Sequence, residues 1–374
     1  MAFMGTALTY QEYRESRYFA PLDGLRAISA LIVVSVHMAD NLVHDSWRWL
    51  QGEGGVAIFF VLSGYLITTL AIREEQERGR LSLRAFYIRR TLRIFPLYFY
   101  VLGITCFLVF NSAGAEGRQQ LTAALPYYLT YMSEFAPEAH FYQSWSLGIE
   151  EKFYLAWPVL GFTLLRLNPR GRLLIAGAMA AVGLFPGLFP GEIYWADYTR
   201  IMAGCLVALS LHEPRLFDKL RVAARGPWLA LGLLAFLATH FASPHSRLEP
   251  RTWLEPAYTL ATCWLLVGLL LTRSWWASFL STGAMRYLGR RAYAIYLVQL
   301  GCIWFVEAFV RKGTGEPIEV LTTYVVACLA CVAVADGLFR VVERPGMLIG
   351  RKLSDKILQA TPSKRPSVRA AALD

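Results

Sequence analysis

Charge is what this chain has least of. Asp, Glu, Lys and Arg make up 17% of its 374 residues against a hydrophobic share of 56%, and the mean hydropathy is +0.39. A soluble domain of this length needs more polar surface than that, so the composition excludes one and points to a chain that crosses a membrane many times. Cysteine is also sparse. Cys106, Cys205, Cys263, Cys302, Cys328 and Cys331 all sit inside apolar runs, where they read as small hydrophobes rather than as a disulfide frame or a metal-binding set. No metal is expected. The opening stretch MAFMGTALTYQEYRESRYFAP lacks the apolar core of a cleavable leader, so the first span is expected to act as the insertion signal. No internal repeat is evident, which sets the chain apart from transporters built from two related halves.

What is present is a series of long apolar stretches. A membrane-spanning helix needs about 20 apolar residues. Ten candidates stand at roughly 24–40, 54–72, 94–112, 153–167, 173–190, 199–211, 227–243, 256–272, 292–310 and 320–339. The fold expected is all-α, a polytopic membrane protein with about ten transmembrane helices. Lys and Arg fall overwhelmingly in the loops and termini that ten spans place on the same side of the membrane as the N-terminus, 29 of the 37, and that asymmetry predicts both termini to be cytoplasmic. The net charge of +10 then follows from topology and anionic headgroups, making membrane lipids the expected partners and nucleic acid an excluded one. Residues 1–17 form a cytoplasmic N-terminal segment, 18–345 the membrane domain, and 346–374 a basic cytoplasmic tail expected to be disordered.

Three constellations carry chemistry. In GLRAISALIVVSVHMAD, Arg26 and His37 are eleven residues apart, about 20° beyond three full turns and about 16 Å along a helix axis. They share a face, and ionisable groups at that depth mark a polar path or a site. In QSWSLGIEEKFYLAWP, Glu150 and Glu151 enter an aromatic run with Trp145, Ser146 and Tyr154. Glu150 and Tyr154 share a helical face and Glu151 does not, so Glu150 is a partner for an imidazole acting as a base. The third constellation is the basic run RRTLRIFPLY, where Arg89, Arg90 and Arg93 suit phosphate groups through bidentate guanidinium contacts. Each has a plainer explanation: helix-end snorkelling, an interfacial aromatic belt and the positive-inside bias. In FFVLSGYLI, Ser63, Gly64 and Tyr65 read as close-packing and cross-helix hydrogen-bonding positions.

Taken in order, DGLRAISALIVVSVH, FFVLSGYLI, RRTLRIFPLY, WSLGIEEKFYLAWP, GRRAYAIYL and VVERP resemble the integral-membrane acyltransferase family 3, bacterial O-acyltransferases of surface polysaccharides and related acceptors. The resemblance runs from about residue 18 to 345. It implies an enzyme of the bacterial inner membrane that takes an acyl group, usually acetyl, from cytoplasmic acetyl-CoA. The group passes to a hydroxyl of a saccharide or lipid-linked glycan at the outer face. By resemblance Arg26 and His37 are the essential pair, Glu150 is the acidic position, and Arg90 and Arg93 belong to the donor-side basic motif. Tyr296 and Gln299 lie in YAIYLVQL, where relatives often carry a histidine near the end of the run, so an acceptor contact is expected to differ there. The competing reading is a secondary transporter or a polysaccharide-export component without transferase activity.

Overall fold

The computed structural model describes residues 7–41, 52–164, 168–182, 194–242, 254–309 and 317–360. Among them the only strand-like feature is an isolated antiparallel bridge between Ala7 and Thr272. Everything else regular is helix. A short α1 (Tyr10–Glu15) is opened by a capping box in which Thr9 and Glu12 satisfy each other's backbone N–H groups. Three long helices follow: α2 (Ala20–Asn41), α3 (Gly52–Arg78) and α4 (Leu83–Ser112). After α5 (Ala115–Leu129) and two single 3-10 turns come α6 (Trp145–Val159), α7 (Pro169–Val182) and α8 (Trp195–Leu211). The chain continues through α9 (Pro214–Ala223), α10 (Gly226–Ala242), α11 (Leu254–Leu271), α12 (Trp275–Leu280) and α13 (Gly283–Gly289). It closes with α14 (Ala292–Phe309), α15 (Pro317–Leu338) and α16 (Arg344–Gln359).

Where they are described, the ten apolar stretches are helical apart from Thr272, with 165–167, 183–190, 243 and 310 lying outside the described residues, but not each helix has the dimensions of a full span. Among the described residues five helical stretches are long and apolar enough to cross a membrane: Ala20–Met38, Gly54–Arg78, Leu83–Ser112, Leu254–Leu271 and Leu321–Gln359. A sixth arises if Pro214–Val222 and Gly226–Ala242, bent by 81°, count as one. The described residues thus carry five or six of the ten expected spans at full length. The 17 residues of α8 cover about 26 Å at 1.5 Å per residue, short of an apolar core about 30 Å thick, while Val182 of α7 is the last described residue before 194. α6 is cut where Pro158 interrupts the hydrogen-bond ladder and a π turn follows over Leu160–Leu164.

The tail differs from expectation too. Residues 346–359 belong to α16, which lies along α4. The remainder, 361–374, lies outside the described residues.

Two apolar clusters build the interior, one centred on α2, α4, α6 and α14, the other on α10, α11 and the α1 and α9 edge. α3 and α8 contribute to both and form the spine. They cross backbone to backbone: a Cβ on Gly64 would stand 1.9 Å from the Ile201 carbonyl oxygen, and one on Gly204 2.0 Å from that of Val61. Only glycine permits that approach. At one end of the bundle, Arg172 holds Glu75 through both guanidinium nitrogens at 2.6 and 2.7 Å, Arg89 meets Glu74 at 2.7 Å, and Arg17 meets Glu77 at 3.0 Å. The other end carries Arg200 between Asp197 and Glu255, and Lys152 against Glu134.

Candidate functional site

Between α2, α3, α4, α6 and α14 lies a cavity with about 870 Å³ of atom-free space, its open mouth included. Helical periodicity explains who lines it. α3 offers Val56, Phe59, Phe60, Ser63 and Ile67, α4 offers Arg90, Arg93 and Ile94, and α6 offers Ser146, Glu150 and Tyr154 at intervals of four. α2 adds Arg26, and the α13–α14 junction adds Arg290, Tyr293 and Tyr296. Four arginines thus face one carboxylate. Arg290, whose side chain is 57% exposed, stands at the mouth.

The polar groups are fixed in place. Ser63 donates to Glu150 Oε1 at 2.7 Å, and the Tyr154 hydroxyl lies 3.0 Å from both Glu150 Oε2 and Ser63 Oγ. The Arg90 guanidinium lies 5.6 Å from the Tyr154 ring centroid and 5.8 Å from that of Phe86, within cation–π range. Tyr296 donates to the Gln143 carbonyl at 2.5 Å and pairs with Ser146 Oγ at 2.7 Å. At the mouth, buried Asp23 accepts from Tyr18 at 2.6 Å and from Arg26 at 3.3 Å, with Arg290 3.8 Å away. One aspartate therefore steers two of the four arginines.

The residues marked in the sequence divide into two groups. Arg26, Arg90, Arg93, Glu150, Tyr154, Ser146, Ser63 and Tyr296 all meet at the cavity. The others stand elsewhere. Arg89, one residue and about 100° from Arg90, turns away to Glu74 and to Ser354 Oγ at 2.6 Å. Tyr65 is fully buried against the Tyr13 hydroxyl at 3.1 Å. Trp145 packs edge-on to Phe60 and against Tyr194. Glu151 lies off the cavity, and Gln299 is fully buried one turn past Tyr296.

His37 is not among the lining residues. Its ring meets that of Tyr142 edge-on at 5.8 Å, beside the start of α6, whereas Glu150 bonds to Ser63 and Tyr154. Ser63 and Tyr154 thus engage the carboxylate for which a His37 partner was expected. Tyr142, in the 3-10 turn just before α6, and Glu150, in the second turn of α6, are eight residues apart in the chain.

Reading the sequence missed Asp23, Arg290 and Tyr293. Asp23 sits three residues before Arg26 in DGLR, which is the spacing of a helical ion pair. Arg290 and Tyr293 were visible only as parts of GRRAYAIYL.

A family description, the acyltransferase domain, matches residues 19–339. The peptidoglycan O-acetyltransferase OatA of Listeria monocytogenes is 29% identical over 318 residues, covering 76% of this chain and 49% of that protein. A Staphylococcus aureus (strain COL) protein provisionally named an O-acetyltransferase is 25% identical over 96% of this chain and 61% of its own length. The Bacillus subtilis protein YrhL, provisionally named a peptidoglycan O-acetyltransferase, is 26% identical over 90% and 56%. The chain thus spans about half to three-fifths of the length of these relatives. No solved structure matches it. With the match covering nearly every helix that builds the cavity, this chain belongs to the integral-membrane acyltransferases of family 3.

Proposed function

We propose that the chain moves an acetyl group from acetyl-CoA, taken from the cytoplasmic side of the bacterial inner membrane, to a hydroxyl of a saccharide or lipid-linked glycan at the outer face. The observation that carries the reading is the cluster of four arginines around one cavity within apolar helices. Guanidinium forks match phosphate oxygens, and holding that much positive charge among membrane helices is costly without an anionic ligand. The residues present fit the phosphates of a coenzyme A thioester. Arg89 drops out of the expected phosphate set and Arg26 and Arg290 enter it. The names of the relatives support a saccharide acceptor.

When bound, acetyl-CoA supplies the thioester, whose C–S bond breaks as the new ester C–O bond forms. Arg90, Arg93 and Arg290 hold phosphate near the mouth. Asp23 aims Arg26 from the cavity wall, and Ser63 and Tyr154 keep the Glu150 carboxylate facing the arginines, so that Asp23 and Glu150 together balance part of their charge and hold their spacing. His37, about 16 Å from Arg26 along α2, takes the acceptor hydroxyl proton as its oxygen attacks, then returns a proton to the departing sulfur. That separation gives the long, thin pantetheine arm a purpose, since the nucleotide stays at the basic end while the thioester reaches the level of His37. The end bearing Arg17, Arg89, Arg172 and the α16 lysines faces the cytoplasm by the positive-inside rule.

The test is transfer of labelled acetyl from acetyl-CoA to a saccharide by purified protein in nanodiscs. Labelled ester on the saccharide is the expected product. Absence of any acetyl-CoA turnover, with or without saccharide, removes the reading.

A further inference from the structure

Two buried amides with unpaired atoms lie just beyond the arginine cavity. Gln299 is 0% exposed and neither its Oε1 nor its Nε2 has a partner; Gln143 is 3% exposed and its Oε1 has none. An unpaired amide in the interior is costly. Gln143 is held on both sides, its Nε2 donating to the Leu297 carbonyl at 3.1 Å and its own carbonyl accepting from Tyr296. Gln299 stands three residues along α14 from Tyr296, about 4.5 Å further up the axis. α2 and α14 start from the same end, because Gly289 packs directly on the Asp23 backbone. Moving along α14 from Arg290 to Gln299 therefore runs toward the level of His37. Next to Gln143, Tyr142 is 39% exposed and carries the ring contact to His37.

We infer that Gln143 and Gln299 form a subsite for a neutral saccharide, separate from the arginine cavity and joined to it across the Ser146–Tyr296 hydrogen bond. The inference rests on the transferase reading and names its acceptor side. Chemistry separates the two places. The arginine cavity selects negative charge. The three unpaired atoms are two carbonyl acceptors and one amide donor, with no charge, and hydroxyl groups, which both donate and accept, satisfy all three. The exposed Tyr142 ring offers an apolar face for a sugar ring at the entrance, beside the imidazole that takes the proton. The arrangement also gives a role to a glutamine that is fully buried on α14.

The experiment measures acetyl transfer by the purified protein in nanodiscs from acetyl-CoA to N,N′-diacetylchitobiose, with Gln299→Met and Gln143→Met, which keep volume and remove hydrogen bonding. The expected result is a rise of about tenfold in KM for the saccharide in each variant, the size of one lost hydrogen bond, with KM for acetyl-CoA changed less than twofold. Thermal unfolding of the same samples controls for folding, and Gln299→Asn, which keeps the amide, should sit between wild type and Gln299→Met. If wild type transfers acetyl but both Met variants keep the wild-type saccharide KM, the subsite is wrong while the transferase reading stands. Unchanged KM with raised thermal stability would make the amides walls of a water-filled void. Loss of acetyl-CoA and saccharide affinity in equal measure also overturns the subsite. A wild type that turns over no acetyl-CoA removes both readings together.

Discussion

At the scale of single residues, one position along a helix separates a side chain at the site from one that holds the scaffold. Arg89 and Arg90 are identical in chemistry and adjacent in sequence, yet Arg90 lines the cavity and Arg89 ties α4 to Glu74 and Ser354. The prediction is a division of labour. Arg90→Ala should raise KM for acetyl-CoA by tenfold or more, the scale of a charge-assisted hydrogen bond, and should affect a short acyl thioester lacking the nucleotide far less. Arg89→Ala should leave KM for both donors near wild type and lower the melting temperature. Equal donor defects in the two variants would mean that neither arginine discriminates phosphate. The sequence shows three arginines in a basic run, but not which one points inward, because that depends on the rotation of α4 against α6 and α16.

The carboxylate carries a second residue-scale expectation. Since the Glu150 carboxylate is engaged by Ser63 and Tyr154, Glu150 and His37 should act in separate steps. His37→Ala should cut transfer by 10²–10⁴-fold, the usual contribution of a general base. Glu150→Gln should cut it independently, so that the double variant shows the product of the two losses within about 0.5 kcal/mol. A double variant no worse than His37→Ala alone would join the two groups into one unit and contradict the geometry. This separation was not legible in the sequence. Sharing a helix face was readable for Glu150 and Tyr154, being local to α6, whereas the height of α6 against α2 is a tertiary property.

At the scale of elements, apolar runs disclosed the long helices α2, α3, α4, α11 and α15, and what they concealed was how the helices meet. Ser63, Gly64 and Tyr65 read together as a packing segment, and the structure gives the three residues three different jobs: Ser63 on Glu150, Gly64 against the Ile201 carbonyl, Tyr65 on Tyr13. Gly64→Ala should therefore destabilise by about 1–3 kcal/mol through overpacking, although alanine is the better helix former by about 1 kcal/mol. Gly103→Ala, in α4 with nothing within 4 Å of the new methyl, should be neutral or stabilising. Thermal unfolding in detergent compares the two, and a stable Gly64→Ala would show that α3 and α8 move apart without penalty. The short α6 and the helical α16 were hidden for a related reason. A π turn after Pro158 and a helix gripping α4 depend on neighbours that no window of sequence contains.

At the scale of the whole molecule, the distribution of charge makes a statement about direction. α4 shows Phe99, Ile104, Phe107 and Leu108 outward, as a helix facing lipid should, while its N-terminal turns carry the arginines of the cavity mouth. Arg118 on α5 and Lys356 on α16 are both exposed and lie beyond opposite ends of that helix. A cysteine replacing Arg118 should react with a membrane-impermeant maleimide in intact spheroplasts, and one replacing Lys356 only after permeabilisation. The native cysteines are buried or half-buried in apolar helices, so background labelling should be low. The outcome bears on mechanism as well as on topology. A nucleotide thioester is made and kept in the cytoplasm, and the arginine-lined mouth must open there for the cavity to bind it. If Lys356 were the position labelled from outside, that mouth would open away from the donor supply. The four arginines would then need a different anion, and His37, at the far end of α2, would face the cytoplasm instead of the envelope glycan it is proposed to acylate.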